Sequence, residues 1–208
     1  STQSVQLKEG KSYTMKIQFK KAIGINVPSG SINLTANGCS ATDKTNLAKL
    51  IWADGNLKST GSANYVWGTY SEYGYYYTWY STYTGNTSTN NTDPCTKLNV
   101  STYGTSWRTP NSNELTMLSR CTNKTLTNKG MWFMNNTIGL FLPATGFRNH
   151  TQGSYTSVET DGTSGRYWSS SSNGSYAYAL EFGNNSASVT SNNNRKANGL
   201  TVRCVKNK

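Results

Sequence analysis

At 208 residues the chain suits one domain, or one domain with a small additional piece, and it is long enough to bury a core without relying on staples. Charged residues make up only 14% and hydrophobic ones 34%, so the polarity comes mainly from Asn, Ser, Thr, Tyr and Gly, while 6 Trp and 14 Tyr exclude a chain that never packs. The formal charge of +11 would suit nucleic acid or an anionic surface, but the Lys and Arg are scattered and no RNA-binding aromatic motif or basic helix accompanies them. A solvated basic surface is the favoured reading, attraction to acidic glycans or cell envelopes the second, and nucleic acid is set aside.

Residues 13–19 alternate cleanly, with Tyr13, Met15, Ile17 and Phe19 on one face and Thr14, Lys16 and Gln18 on the other, which predicts a half-buried strand. Gly10-Lys11-Ser12 before it lacks the upstream glycine and following helix of a phosphate loop. Residues 22–44, with Pro28, Gly30 and Gly38, read as an irregular connector. "LIWADGNL" (residues 50–57) is a short strand entering a turn at Asp54-Gly55. Residues 65–83 are dense in aromatics, and "TGNTSTNNT" after them is a polar loop. Asp93-Pro94 and Thr109-Pro110 each place an N-cap acceptor before a proline suited to a first helical turn, and the second is followed by an apolar stripe of Leu115 and Leu118.

Beyond Cys121, "LFLPATGF", "RYWSSSS", "YALEF", "SASVTS" and "LTVRCV" read as strands separated by Gly- and Asn-rich turns, so the plan is α+β. Alternation in "YALEF" assigns Tyr178, Leu180 and Phe182 to the core and leaves Tyr176 toward a loop. Of the neighbours Tyr167 and Trp168, the tryptophan is expected to pack inward. No apolar run approaches membrane-spanning length, and residue 1 does not open a signal peptide, so the chain reads as a mature product or an excised piece.

The four cysteines, Cys39, Cys95, Cys121 and Cys204, show no CxxC spacing, and the single histidine, His150, has no metal-ligand partner at motif spacing. A metal centre is not expected. Well-separated cysteines in a loop-rich chain point to disulfides and an oxidising compartment, with three connectivities open. The carboxylates Glu159, Asp161 and Glu181 form no recognisable acid/base pair, and a lone loop histidine is most simply a solvated side chain.

Residues 142–146 spell LPATG, the pattern by which a sortase links proteins to a cell wall. A sortase signal lies ahead of an apolar segment and a basic tail, whereas here Phe147-Arg148 and a long polar stretch follow. With Leu140 and Leu142 flanking Phe141 and Pro143 closing the run, the motif is expected to be a buried strand entering a bend, not an anchor.

"WADGNL", "EYG", "DPC", "WRTPNSNELTML", "LFLPATGFR", "GRYWSSSS", "YALEF" and "GLTVRCVK" follow one another across residues 51–206 in an order that resembles the Fibrobacter succinogenes major paralogous domain of bacterial fimbrillin-like surface proteins. That resemblance implies a C-type-lectin-like fold in which N- and C-terminal strands pair, two small helices flank, and a loop-rich face carries binding. It implies the disulfide Cys95–Cys204, which leaves Cys39–Cys121. It also makes residues 1–28 a closing strand or junction from a preceding fimbrillin-like β-sandwich and residues 29–208 the domain itself.

The function it implies is an extracellular adhesion or ligand-binding module at the end of a fimbrial or surface-anchored protein; the residues themselves lead to an expectation of no cofactor and no catalysis. Its partners would be a host or neighbouring-cell surface protein or glycan, or pilus subunits. The alternative is a degenerate domain of the formylglycine-generating-enzyme type, but that branch needs reactive cysteines near the C-terminus, where this chain has Cys204 alone. The EPN, QPD and WND-like words of calcium-dependent sugar binding are absent. The candidate contact residues are Arg148, Asn149, His150, Tyr155, Tyr176, Asn185, Asn193 and Asn194, set among Tyr, Ser, Asn and Gly, the vocabulary of adaptable binding loops. The C-terminal third is rich in residues that adenine-only changes produce from Asn codons, and C-type-lectin-like domains host such retroelement-driven diversification. Because "TGNTSTNNT" carries the same bias outside that region, general composition is favoured over a hypervariable loop set.

Overall fold

The computed structural model describes residues 25–26, 39–59, 65–82, 90–134, 139–149, 158–159, 162–192 and 194–208, with the backbone alone at 25–26, 134 and 158–159. The expected strand over 13–19, most of the expected connector and most of the expected junction piece lie outside these residues.

The described chain is α+β with antiparallel strand pairing throughout its named sheets. Its longest helix, α3 (Ser112–Cys121), buries Leu115 and Leu118 as the sequence stripe requires. The start differs from expectation. Asn111, not Thr109, is the N-cap: its Oδ1 accepts the Glu114 N–H at 2.9 Å while the Glu114 carboxylate accepts the Asn111 N–H at 2.8 Å. Thr109 is held elsewhere, its N–H and hydroxyl both donating to Asp93 at 2.8 and 2.7 Å. Asp93 in turn caps a 3-10 turn, Pro94–Lys97, as its sequence position suggests. A second helix, α1 (Ala41–Ala48), occupies the end of the stretch read as connector, because Ser40 and Asp43 form a capping box there. A one-turn helix, α2 (Val100–Tyr103), follows the Asn99 cap.

Strand β2 (Leu50–Trp52) pairs on one side with β1 (Ile25–Asn26) and on the other with β13 (Val205–Asn207). That second pairing extends in both directions: Ala53 N–H donates to the Cys204 carbonyl, Leu57 N–H to Val202, and Lys208 N–H to Lys49. The last residues of the chain are thereby zipped along residues 49–57. "LTVRCV" is not one continuous strand; Leu200 bridges Tyr77 and Thr201 bridges Tyr167 before β13 begins. The hairpin β3 (Leu57–Ser59) and β4 (Tyr65–Trp67) closes the N-terminal half.

The C-terminal half holds two three-stranded sheets. One is β5 (Lys124–Thr127), β6 (Gly130–Met134) and β7 (Gly139–Pro143). The other is β10 (Gly165–Asn173), β11 (Tyr176–Gly183) and β12 (Ser186–Thr190). A short pair, β8 (Phe147–Arg148) and β9 (Val158–Glu159), completes the set of described strands.

The β10–β11 ribbon has a hydrophobic cluster on each face. Tyr167, Leu180 and Phe182 join the first, with Leu47, Trp52, Leu118, Phe133 and Leu142. Trp168, Ala177 and Ala179 join the second, with Leu57, Trp67, Tyr77, Trp107 and Leu200. Both Tyr167 and Trp168 are therefore core residues, not the tryptophan alone. Ala177 and Ala179 are buried where alternation left them outside, and Tyr178 is only half-buried. Single-face alternation fails here because the ribbon is an interior layer.

The disulfides are Cys39–Cys121 and Cys95–Cys204, closing spans of 82 and 109 residues. The first ties the approach to α1 to the end of α3; the second ties the 3-10 turn to the residue preceding β13. On the chain-entropy account, loops of this length stabilise by about 3 to 5 kcal/mol each.

The LPATG residues are buried in the fold. Leu142, Ala144 and Thr145 lie in the interior, and Pro143 ends β7, an edge strand of its sheet. Ala144 N–H donates to Lys129, Gly146 N–H to Ser164, and the Tyr76 hydroxyl to the Thr145 carbonyl at 2.6 Å. Gly146 takes a φ of 58°, which lets the chain bend into β8. The folded protein should therefore resist a sortase supplied with a glycine nucleophile, while a peptide of residues 141–147 reacts. Transpeptidation between Thr145 and Gly146 of the folded chain, read by mass spectrometry, would contradict the burial.

Candidate binding surface

The segment from Asn194 to Thr201 is the spine of the candidate face. Ala177 N–H donates to the Asn194 carbonyl, Lys196 N–H to Ser175, and Asn198 N–H to Arg195, which folds a tight turn. Arg195 bridges Tyr176 at the start of β11, and Gly199 exchanges two backbone hydrogen bonds, 2.8 and 2.9 Å, with Arg148 in β8. Trp79 lies alongside: its N–H donates to the Lys196 carbonyl, its indole donates to the Ser169 carbonyl at 2.8 Å, and the Lys196 ammonium stands 4.3 Å above its ring. The Arg148 guanidinium lies 4.9 Å from the Tyr76 ring centre, and Arg166 lies 3.8 Å from that of Phe147. Three cation–ring pairs thus lie near the spine.

The expected contact residues divide. Arg148 and Tyr176 both border the turn at 195–199, and Tyr176 is 37% exposed. Asn149 follows Arg148 and is half-buried. Asn185 is exposed but stands apart, at the β11–β12 turn, where its Oδ1 accepts the Leu126 N–H at 3.1 Å. The full length of β11, eight residues or roughly 25 Å, separates it from Tyr176. Asn194 is a correction. It is fully buried, donating to Glu181 Oε1 at 2.6 Å and to the Thr190 carbonyl, so it braces the ribbon and presents nothing outward. His150, Tyr155 and Asn193, with Asp161 and the side chain of Glu159, lie outside the described residues. Glu181 serves Asn194 and, at 3.9 Å, Arg166.

Sequence reasoning marked "YSEYGYYY" (residues 70–77) as aromatic without assigning it a role. The structure divides it: Tyr76 and Tyr77 are buried, whereas Tyr70, Tyr73 and Tyr75 are 54%, 41% and 44% exposed. Gly74 makes the division possible, since its φ of 74° reverses the chain and a Cβ there would lie 2.7 Å from the Asn56 side chain. The backbone is fastened beneath: Asn56 Nδ2 donates to the Tyr73 carbonyl at 3.0 Å and Tyr75 N–H donates to Leu57. Tyr70 packs on Phe141 (5.7 Å, edge-on) and near Trp132 (6.3 Å), which in turn lies 5.0 Å from Phe141. Glu72 accepts the Thr69 N–H and pairs with Lys58 at 3.0 Å; those two contacts, the backbone N–H first, hold its carboxyl below the usual range. Burial pushes the Tyr76 phenol up to about 12, with the Arg148 charge opposing and the nearby Tyr73 phenol adding to the rise. Tyr76 connects the tyrosine strip to the spine, its hydroxyl donating to Thr145 and its ring facing Arg148.

Among the described residues no group of three or more His, Cys, Asp or Glu side chains could hold a metal ion. A family described as "Domain of unknown function (DUF8237)" matches residues 119–205, from the end of α3 into β13. No curated protein and no solved structure matches the chain. The matched stretch carries β7 with its LPATG bend, both strands of the interior ribbon and the spine, but not the tyrosine strip.

Two substitutions separate scaffold from surface. Asn194→Ala should lower unfolding stability by about 1 to 3 kcal/mol, because the Glu181 carboxylate is left without that donor. Tyr176→Ala should shift it by no more than about 0.5 kcal/mol. Urea unfolding of both variants checks the pair; a neutral Asn194→Ala would return that residue to the surface set.

Proposed function

We propose that the chain is an extracellular adhesion or ligand-binding module with a C-type-lectin-like fold, the terminal domain of a fimbrial or surface-anchored protein. The observation that carries this reading is the exposed Tyr176 beside Arg195 and the Lys196–Trp79 pair, presented at one end of an interior ribbon that both core clusters hold rigid. Rigid amphipathic rings among Ser, Asn and Gly lose little conformational entropy on binding, which suits a contact surface.

The fold assignment is supported by the pairing of the C-terminal segment along residues 49–57, by flanking helices α1 and α3, and by the Cys95–Cys204 bridge. Two disulfides suit an oxidising, extracellular setting. No helix among the described residues is long and apolar enough to cross a membrane. Against the formylglycine-generating alternative, Cys204 is buried and bonded to Cys95, so the sulfur such chemistry would need is engaged. The ligand in this reading is a host or neighbouring-cell surface protein or glycan, met through the C-terminal loops.

Arrays of glycans and cell-surface proteins test the proposal, with Tyr176→Ala as the surface variant and Asn185→Ala, at the far end of β11, as the control. At least one array ligand should be retained by wild type and by Asn185→Ala, and lost by about tenfold or more in Tyr176→Ala. Binding that tolerates Tyr176→Ala and fails with Asn185→Ala would move the site to the opposite end of the ribbon.

A further inference from the structure

The loop face leaves the tyrosine strip unexplained. Three of the exposed large aromatics of the described chain fall within six residues, at 70, 73 and 75, and the ring pair Trp132–Phe141 carries Tyr70 as an extension. An exposed aromatic cluster of this kind marks an interaction site more often than chance surface.

Two observations restrict what fits. The first concerns the backbone. The Tyr73 carbonyl accepts from Asn56, the Tyr75 N–H donates to Leu57, and Tyr77 exchanges both of its backbone bonds with Leu200. These backbone groups are therefore taken, and recognition falls to ring faces and phenolic tips. Such a surface matches a ligand made of flat units with apolar faces and hydroxyl rims, which is the chemistry of a pyranose chain.

The second observation concerns charge. Tyr70 packs on Phe141, the Tyr76 hydroxyl donates to Thr145 four residues further along the same segment, and the Tyr76 ring lies 4.9 Å from Arg148, whose Nε is buried and has no hydrogen-bond partner among the described residues. Beyond Arg148, across Gly199, come Lys196 and Arg195. Among the described residues, the carboxylates bordering this path are engaged: Glu72 with Lys58 and the Thr69 N–H, Glu181 with Asn194 and Arg166. With a chain charge of +11, the path from ring to cation is complementary to an anion.

We propose that Tyr70, Tyr73 and Trp132, ending on Arg148, form a subsite for an acidic polysaccharide, its sugar faces lying on the rings and a uronate carboxylate meeting the guanidinium. This rests on the reading of the chain as a ligand-binding module and names the ligand class for it. The subsite adjoins the Tyr176 face and shares Arg148 with its border, but Tyr70 and Tyr73 belong to the subsite alone, so Tyr70→Ala/Tyr73→Ala and Tyr176→Ala separate the two.

Polygalacturonate supplies the probe, its fully methyl-esterified form the uncharged counterpart, and poly-L-glutamate the anionic counterpart without sugar rings. Binding of the full chain is followed by calorimetry at physiological salt. Wild type should prefer polygalacturonate to both counterparts, and Tyr70→Ala/Tyr73→Ala should weaken that binding by about tenfold or more with an unchanged melting temperature. Arg148→Gln should remove most of the preference for the acid over the ester. Equal binding of polygalacturonate and poly-L-glutamate, undisturbed by Tyr70→Ala/Tyr73→Ala, would mean attraction by net charge and would overturn the subsite. Polygalacturonate binding lost in Tyr176→Ala but kept in Tyr70→Ala/Tyr73→Ala would overturn the subsite and leave the loop-face reading standing. No binding to polygalacturonate, with array ligands still sensitive to Tyr176→Ala, has the same meaning.

Discussion

One buried guanidinium organises the molecule. Arg203 is 1% exposed, and its three nitrogens donate to Asn56 Oδ1 at 2.9 Å, the Ala53 carbonyl at 3.0 Å and the Phe141 carbonyl at 3.1 Å. It forms none of the salt bridges among the described residues. Burial lowers its pKa to about 10, with Tyr167 and Asp54 acting in the other direction, so the group stays charged at neutral pH. A charge in that position is tolerable only because several oxygens surround it. Those oxygens belong to two segments far apart in sequence, the turn after β2 and strand β7, and Asn56 carries the contact on to the tyrosine strip.

The network continues outward from there. Asn56 Nδ2 donates to the Tyr167 hydroxyl and to the Tyr73 carbonyl, both at 3.0 Å, and the Tyr167 hydroxyl donates to the Pro143 carbonyl at 2.8 Å. The LPATG bend, the interior ribbon and the backbone beneath the exposed tyrosines thus share one set of buried polar contacts. Cys204, next to Arg203, carries the disulfide to the 3-10 turn, so the covalent and polar constraints meet at adjacent residues. A binding surface needs its contact groups held while their tips remain free, and this arrangement supplies both: fixed backbone below, exposed rings above.

Much of the scaffold was legible in the sequence for local reasons. The α3 stripe, the Asp93-Pro94 cap and the burial of the LPATG strand follow from period and turn chemistry. What escaped depended on layers. Alternation in "YALEF" assumes one wet face, and the ribbon has none over Ala177, Ala179 and Leu180. Arg203 in "LTVRCV" would point to solvent by any propensity rule, and only the meeting of Asn56, Ala53 and Phe141 around it makes burial possible. Asn194 and Asn185 illustrate the same limit at the surface: composition marked both as loop contacts, but one is a buried brace and the other lies a strand length from Tyr176. The tyrosine strip was visible as a word and illegible as a surface, because the reversal at Gly74 decides which rings face out.

If the Arg203 network is a single unit, its members must be energetically coupled. The direct measurement is a double-mutant cycle between Asn56→Ala and Arg203→Lys, read by urea unfolding. Lysine keeps the charge and loses the planar fork, so the variant reports the hydrogen-bond geometry more than the charge. Each single change should destabilise, and the interaction energy between them should be about 1 kcal/mol or more. Additivity within about 0.5 kcal/mol would contradict a shared network and leave Arg203 as one buried polar group among several.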